Sequence, residues 1–506
     1  MPSSAVPATY VTVAIPYVNA DPHLGYAYEL VQADVVARSR RAGGDRVRFL
    51  GGTDDYSLKN VLAAEAAGED TREFVARLAR RFQALAGPLD LTFDDFIHTS
   101  ADLRHQPAVE RLWRAALERG DLYRRHYEGN YCVGCELFYD DDALVAVDSR
   151  AACCPEHRTP TERVAEENWF FRLSRYEAQL EALISSDRLA IRPESFRREA
   201  LSFIRAGLDD ISVSRSVARA RGWGIPVPDD PSQTIYVWFD ALTNYISALG
   251  YGDDHDDFRE WWLGADERVH VIGKGILRFH AVSWPAFLLA AGLPVPTRVQ
   301  VHPYLTVDGM KLSKSSGVTV SPVEIVDRYG TDALRWFFAR DVAETADTDF
   351  TAQRLIDRAN EDLANGLGNA TNRIVTLVHR ACGGAVREGA EPIAETAGVG
   401  ASVAEAIRDF RLRDATRVAV EAIDALNRNI DATKPWAIAK DPARIDELRE
   451  LLARQLATAR AVAVAIEPIV PTFAQRLVTQ LSAVDGRLSE PRPVFTRLER
   501  PNLGRA

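Results

Sequence analysis

Residues 10–15, YVTVAI, alternate apolar and polar positions and are rich in β-branched types, which predicts a strand. A loop rich in Pro, Asn, Asp and Gly follows, and from Tyr26 to Arg41 the apolar positions recur at helical spacing. RVRFL at 46–50 then predicts a second strand. Strand, loop, helix, strand is a βαβ unit, which implies a parallel sheet with ligands at the carboxyl ends of its strands, so chemistry is expected at residues 16–26 and 51–57. TIYVWF at 234–239, RVHVI at 268–272 and RVQVH at 298–302 read as the same sheet resuming after an interruption from 120 to about 228. From about 355 onward Ala, Leu, Val and Arg fall at helical spacing with few strand signals, predicting a terminal α-helical bundle.

At 506 residues the chain exceeds one ordinary domain. The expected fold class is α/β: a Rossmann-type parallel sheet in two halves, 1–119 and 229–305, split by an insert at 120–228. A region at 306–360 and an all-α bundle at 361–506 follow. The 46% apolar and 26% charged content is that of a globular protein. No apolar run approaches the roughly 20 residues that span a bilayer, and the N-terminus lacks a signal-peptide pattern, so a cytoplasmic protein with no membrane partner is expected. The net charge of -11 does not argue against RNA, because binding depends on local basic faces such as Arg197 and Arg198, or Arg77 to Arg81.

The loop IPYVNADPHLGY at 15–26 places His23 and Gly25 where a strand gives way to a helix, and the donors and dipole of such a helix start suit phosphate. KLSKS at 311–315 puts Lys311 and Lys314 on a Gly-flanked polar loop, GMKLSKSSG, able to swing onto a triphosphate and neutralise charge as pyrophosphate leaves. Asp54 in GGTDD follows a buried strand, where a carboxylate needs a partner. Cys132-x2-Cys135, then 18 residues, then Cys154-x2-His157 offers two knuckles suited to tetrahedral zinc with no open position, hence a structural ion. Cys153 has the poorer spacing to His157, and Cys382 reads as a core residue.

The two phosphate-suited loops, in this order and far apart, resemble the signatures of class I aminoacyl-tRNA synthetases. GLDDISVSR, WGIPVP, YVWFDALTNYISALGY and IGKGILRFHAVSWPAFL resemble the methionyl-tRNA synthetase family, and the likeness runs from about residue 10 to at least residue 440. The resemblance implies an ATP-dependent ligase that activates methionine, or an analogue, and passes it to methionine tRNA. It assigns catalysis to His23, Gly25, Tyr26, Lys311 and Lys314, and ATP binding to His23, Gly25, Lys311, Ser313, Lys314 and Ser315. It assigns the amino-acid pocket to Ile15, Tyr17, Asp54, Trp238, Ala241, Tyr245, Ile276 and His280, with Asp54 on the substrate ammonium. Asn369 and Arg373, at i, i+4 in GNATNR, and Trp436 in KPWAIAK match the family's anticodon readers, which would make 361–506 the anticodon-binding domain and 306–360 the stem-contact region. ATP as substrate, Mg²⁺ and structural Zn²⁺ are the implied cofactors. The chain ends soon after the bundle, so a monomer is expected.

Departures from the family pattern cluster near the expected reaction centre. Tyr26 stands where the first signature ends in a second histidine, and loss of such a donor typically costs about 2.7–4 kcal/mol, or roughly 100- to 1000-fold in rate. The usual Thr-Asp-Glu-His-Gly run reads Thr53-Asp54-Asp55-Tyr56-Ser57, and the usual Gly-Lys-Asp-Ile reads Gly273-Lys274-Gly275-Ile276. Leu312 replaces a methionine, a mild swap. These changes leave two alternatives open: an amino-acid ligase of small-molecule metabolism acting without tRNA, and a catalytically weak tRNA-binding protein.

Overall fold

The strand β1 (Ala8–Val13) is buried at every position, as a strand covered on both faces must be, and its residues are correspondingly apolar or β-branched. It pairs in parallel with β2 (Arg46–Thr53), which pairs in parallel with β3 (Asp95–His98). On its other side β1 pairs with β5 (Glu267–Gly273), then β6 (Arg298–His302), then β4 (Ala190–Arg192), all parallel. The six-stranded order is thus β3-β2-β1-β5-β6-β4. The computed structural model describes residues 6–132, 137–139, 141–147, 150–155, 158–307, 309–311, 320–387 and 389–499. Cys135, His157, Leu312, Ser313, Lys314, Ser315 and the side chain of Lys311 lie outside the described residues.

The parallel α/β sheet and the strands at 46–50, 268–272 and 298–302 are as expected. The stretch 234–239 is not a strand of that sheet. Asp230–Ile235 belongs to a separate three-stranded antiparallel sheet, and Val237–Leu242 is a helix. Its aromatic and β-branched residues carry strand propensity, but packing of Val237, Phe239 and Leu242 into the core decides the backbone. Within the expected insert, Leu122–Cys132 and Glu162–Phe171 pair antiparallel from Leu122 opposite Phe171 to Tyr131 opposite Glu162. Ala190–Arg192, in the same stretch of sequence, instead supplies the outermost strand of the main sheet.

The chain divides into two compact units: Met1–Pro22, Asp45–Ala84 and Phe93–His302; and His23–Gly44, Leu85–Thr92 and Pro303–Ala506. The first holds the parallel sheet. The second holds α1 (Leu24–Ala42), which is buried along almost its whole length, and the helices that dominate the C-terminal region. Among these, Ile445–Ala465 packs against Asn369–Cys382, Leu412–Thr433 and Pro471–Leu481. A short hairpin of Ala483–Val484 with Arg487–Leu488 follows. Among the described residues no helix is long and apolar enough to cross a membrane.

Candidate active site

In the first unit the residues expected to hold an amino acid all follow the carboxyl ends of the three adjacent strands β2, β1 and β5, or lie on the helices beside them. This is where ligands sit in open parallel sheets. Ile15 and Tyr17 come just after β1 and Asp54 just after β2; Tyr17 bridges Asp54, and the Asp54 N–H donates to the Pro16 carbonyl at 2.9 Å. Gly52 permits this approach, since a Cβ there would lie 2.9 Å from Ile15 Cγ2 and 2.7 Å from Ile97. The Asn60 amide donates to the carbonyls of Asp54 and Asp55 at 3.0 and 2.8 Å, holding the turn that buries Asp54 to 2% exposure.

Ile276 and His280 follow β5, and α3 (Val237–Leu242) and α4 (Asn244–Ser247) carry Trp238, Ala241 and Tyr245. The Tyr245 hydroxyl lies 2.8 Å from His280 Nε2, and His280 Nδ1 lies 3.0 Å from the Ile276 carbonyl. A carbonyl only accepts, so Nδ1 carries the proton and Nε2 accepts from Tyr245. Burial pushes His280 down to about 4, and it stays neutral. Trp238 stacks on Phe279 with ring centroids 3.7 Å apart and presents an edge contact to His280. Tyr245 stacks at 4.0 Å on His270, whose nitrogens bond Thr12 and Trp284. Of the residues named from the sequence, Tyr17 meets Asp54, and Trp238, Tyr245 and Ile276 each meet His280, while Phe279, His270 and Asn60 were missed. Phe279 alone had a signal, as the aromatic neighbour of His280.

The altered Thr-Asp-Asp-Tyr-Ser run is also built in. Asp55 accepts from the Ser100 hydroxyl at 2.8 Å and from its N–H at 3.1 Å, and burial raises its carboxyl. Tyr56 packs 5.4 Å from Trp223, and burial, then the nearby Asp240 carboxylate, push its hydroxyl up to about 12. Gly275 lies exposed on the short turn Lys274–Ile276.

In the second unit His23 caps α1, its Nδ1 accepting from the Tyr26 N–H at 3.3 Å. That leaves the ring proton on Nε2, a donor suited to phosphate. A Cβ on Gly25 would lie 3.1 Å from the His23 ring, so glycine lets the ring fold over the first turn. Tyr26 is 7% exposed, and burial raises its hydroxyl well above the usual range, so it is a neutral donor. Met310–Lys311 pairs with Leu305–Val307 across a turn at Gly309 (φ 72°), with Thr306 opposite Lys311, and Asp349 accepts from both Thr306 and Gly309. Past the lysine loop, the Val320 carbonyl accepts from the Leu24 N–H at 3.0 Å. The segment just past that loop is therefore hydrogen-bonded to the start of the helix that His23 caps.

A family profile described as "tRNA synthetases class I (M)" matches residues 9–164 and 147–375. The methionine–tRNA ligase of Thermotoga maritima is 38% identical over 94% of this chain and 75% of its own length. That of Brucella melitensis is 38% identical over 96% and 97%. The structure of Mycobacterium tuberculosis methionyl-tRNA synthetase in complex with methionyl-adenylate superposes with a TM-score of 0.90, at 36% identity, covering 97% of this chain and 100% of that one. The chain belongs to the methionyl-tRNA synthetase family.

Other family positions fall in two further places. Asn369 begins the helix Asn369–Cys382 and is exposed; Arg373 lies 5.7 Å over the ring of Trp436, itself 44% exposed, and donates to Asp431 at 2.8 Å. Arg373 and Trp436 thus meet in the second unit, with Asn369 one turn before Arg373 on the same helix. Of the zinc-knuckle residues, Cys132 and Cys154 are fully buried. The chain turns back at Cys154, whose N–H donates to the Thr159 carbonyl while its own carbonyl accepts from Arg158. Among the described residues no group of three or more His, Cys, Asp or Glu side chains is gathered for a metal. The basic faces read from the sequence are largely neutralised: Arg77 pairs with Glu69, Arg81 with Asp21 and Arg197 with Glu194.

Proposed function

We propose that this chain is a methionyl-tRNA synthetase: it joins methionine to AMP at the expense of ATP, then transfers methionine to its tRNA. The observation that carries the reading is the Leu24 to Val320 hydrogen bond, which sets the segment just past the expected lysine loop against the start of the helix that His23 caps. In the first unit, Asp54 would take the substrate ammonium, while Ile15, Tyr17, Trp238, Ala241, Tyr245, Ile276 and His280 would surround the thioether, for which aromatic neighbours are favourable. In the second unit, His23 and Tyr26 would donate to phosphate oxygens, Gly25 would leave room for the His23 ring, and the loop of Lys311, Ser313, Lys314 and Ser315 would close over the departing pyrophosphate.

The methionine carboxylate attacks the α-phosphorus and the bond to pyrophosphate breaks. The terminal hydroxyl of tRNA then attacks the acyl carbon and AMP leaves. Neither step needs a covalent enzyme intermediate, and catalysis is positioning plus electrostatics. Mg²⁺, brought in on the phosphates, would supply further neutralising charge. Cys132, Cys135, Cys154 and His157 would hold a structural Zn²⁺; sulfur and imidazole donors are the set it prefers, and the burial of the Cys132 and Cys154 thiols suits a closed site. Asn369, Arg373 and Trp436 would read the anticodon by hydrogen bonding and stacking. A cytoplasmic monomer completes the proposal.

The test is ATP–pyrophosphate exchange across the standard amino acids and methionine analogues, with and without methionine tRNA. Exchange with methionine followed by charging of that tRNA is expected. Exchange without charging would make the protein a ligase of small-molecule metabolism, and tRNA binding without exchange would make it a tRNA-binding remnant.

A further inference from the structure

Trp238, Ala241 and Tyr245 sit on α3 and α4, helices of six and four residues. Segments this short do not hold their own geometry, since isolated helices below about 12 residues are marginal. One side chain from a distant element grips both. His105, the first residue of α2 (His105–Glu118), lies with Nε2 2.5 Å from Asp240 Oδ1 on α3 and Nδ1 2.8 Å from Ser247 Oγ on α4. His105 and Ser247 are completely buried and Asp240 is 1% exposed. Ala241 and Tyr245 lie between the two gripped residues.

Asp240 is not there for stability alone. Its Oδ2 is buried with no hydrogen-bond partner among the described residues, an arrangement that costs free energy and that a well-packed apolar pair of similar volume would avoid. What the pair does supply is a fixed distance and direction between α2 and the helices it holds. Among the contacts of those helices with the far side of the pocket are Trp238 on Phe279 and the Tyr245 hydroxyl on His280. Loss of the imidazole removes the side chain that bonds both α3 and α4 through Asp240 and Ser247.

We propose that His105 is a positioning residue: by bridging Asp240 and Ser247 it sets the α3–α4 wall of the amino-acid pocket, and through it the affinity for methionine. The inference rests on the reading that this pocket takes methionine. The experiment measures methionine binding to the full chain by calorimetry, with KM for methionine and for ATP in pyrophosphate exchange. His105→Ala should raise both the Kd and the KM for methionine about tenfold or more while KM for ATP stays within about twofold, because misplacing a pocket wall penalises only the ligand it touches. His105→Gln, whose amide can still reach Asp240, should recover most of the loss. Ser247→Ala removes only one of the two bonds and keeps the test open should His105→Ala fail to fold; about a threefold weakening of methionine is expected of it. Methionine affinity unchanged in the folded variants, or methionine and ATP constants rising together, would overturn the proposal. Wild-type protein that neither binds methionine nor exchanges would overturn the functional reading itself, and that shows before any substitution is made.

Discussion

His280 ties the proposed amino-acid pocket to the pH response of the fold. Its Nδ1–H is committed to the Ile276 carbonyl and its Nε2 to the Tyr245 hydroxyl, so no site is left for a second proton without breaking a bond. Burial lowers it from the ordinary 6.5 to about 4. The folded chain therefore keeps the neutral ring while the unfolded chain takes up a proton below 6.5, and the stabilisation present above that pH is lost as pH falls toward 4. The expected contribution is on the order of 3 kcal/mol, and His270, also lowered by burial, adds in the same direction. Urea unfolding at pH 7, 5.5 and 4.5 checks this: the decline should be shallower in His280→Gln. At the same scale, Asp54→Asn should lower kcat/KM for methionine by about 30-fold or more, since losing one partner of a desolvated charge pair costs about 2–5 kcal/mol. Pyrophosphate exchange measures it, and an unchanged value would remove Asp54 from the ammonium site.

At the scale of elements, α1 is held inside the second unit by a buried ion pair as well as by apolar packing. Asp34 accepts from Arg335 at 2.7 Å, and both side chains are fully buried. Thr92 donates twice to the other oxygen of Asp34, and Arg335 also reaches the carbonyls of Leu89, Pro468 and Ile469. One guanidinium thus fastens α1 and the segment before Phe93 to the turn preceding Pro471–Leu481. Arg335→Met leaves Asp34 with Arg38, 2.9 Å away, as its ionic partner, and should cost about 3 kcal/mol, the low end for breaking a buried pair. The double variant with Asp34→Leu should recover a large part of that loss. Chemical denaturation followed by circular dichroism checks both, and equal destabilisation by single and double variants would show that packing rather than charge pairing is at stake.

At the scale of the whole molecule, activation and tRNA recognition should separate. Trp436→Ala removes an exposed stacking surface beside Arg373, so KM for methionine tRNA should rise about tenfold, as the loss of one base–aromatic stack worth about 1–3 kcal/mol implies, while pyrophosphate exchange is unaltered. Cys154→Ala should abolish bound zinc in metal analysis of the purified protein, whereas Cys153→Ala should not. Much of this protein was readable from its residues: strand and helix periods near 10–53 and 268–302, the helical C-terminal region, and the signature motifs of its family. These depend on local spacing or on motif identity, both written along the chain. What misled was propensity without context. The run at 234–239 carries strand-forming residues yet becomes helical from Val237, and Ala190–Arg192 is too short to announce itself but completes the sheet edge beside β6. The sequence by itself determined the parallel α/β class and the family, because period and residue type are local quantities. The tertiary structure alone decided that His105 meets an aspartate 135 residues away and that Arg335 meets Asp34 across 301, because such contacts are selected by the packing of the whole core and leave no mark on the residues between.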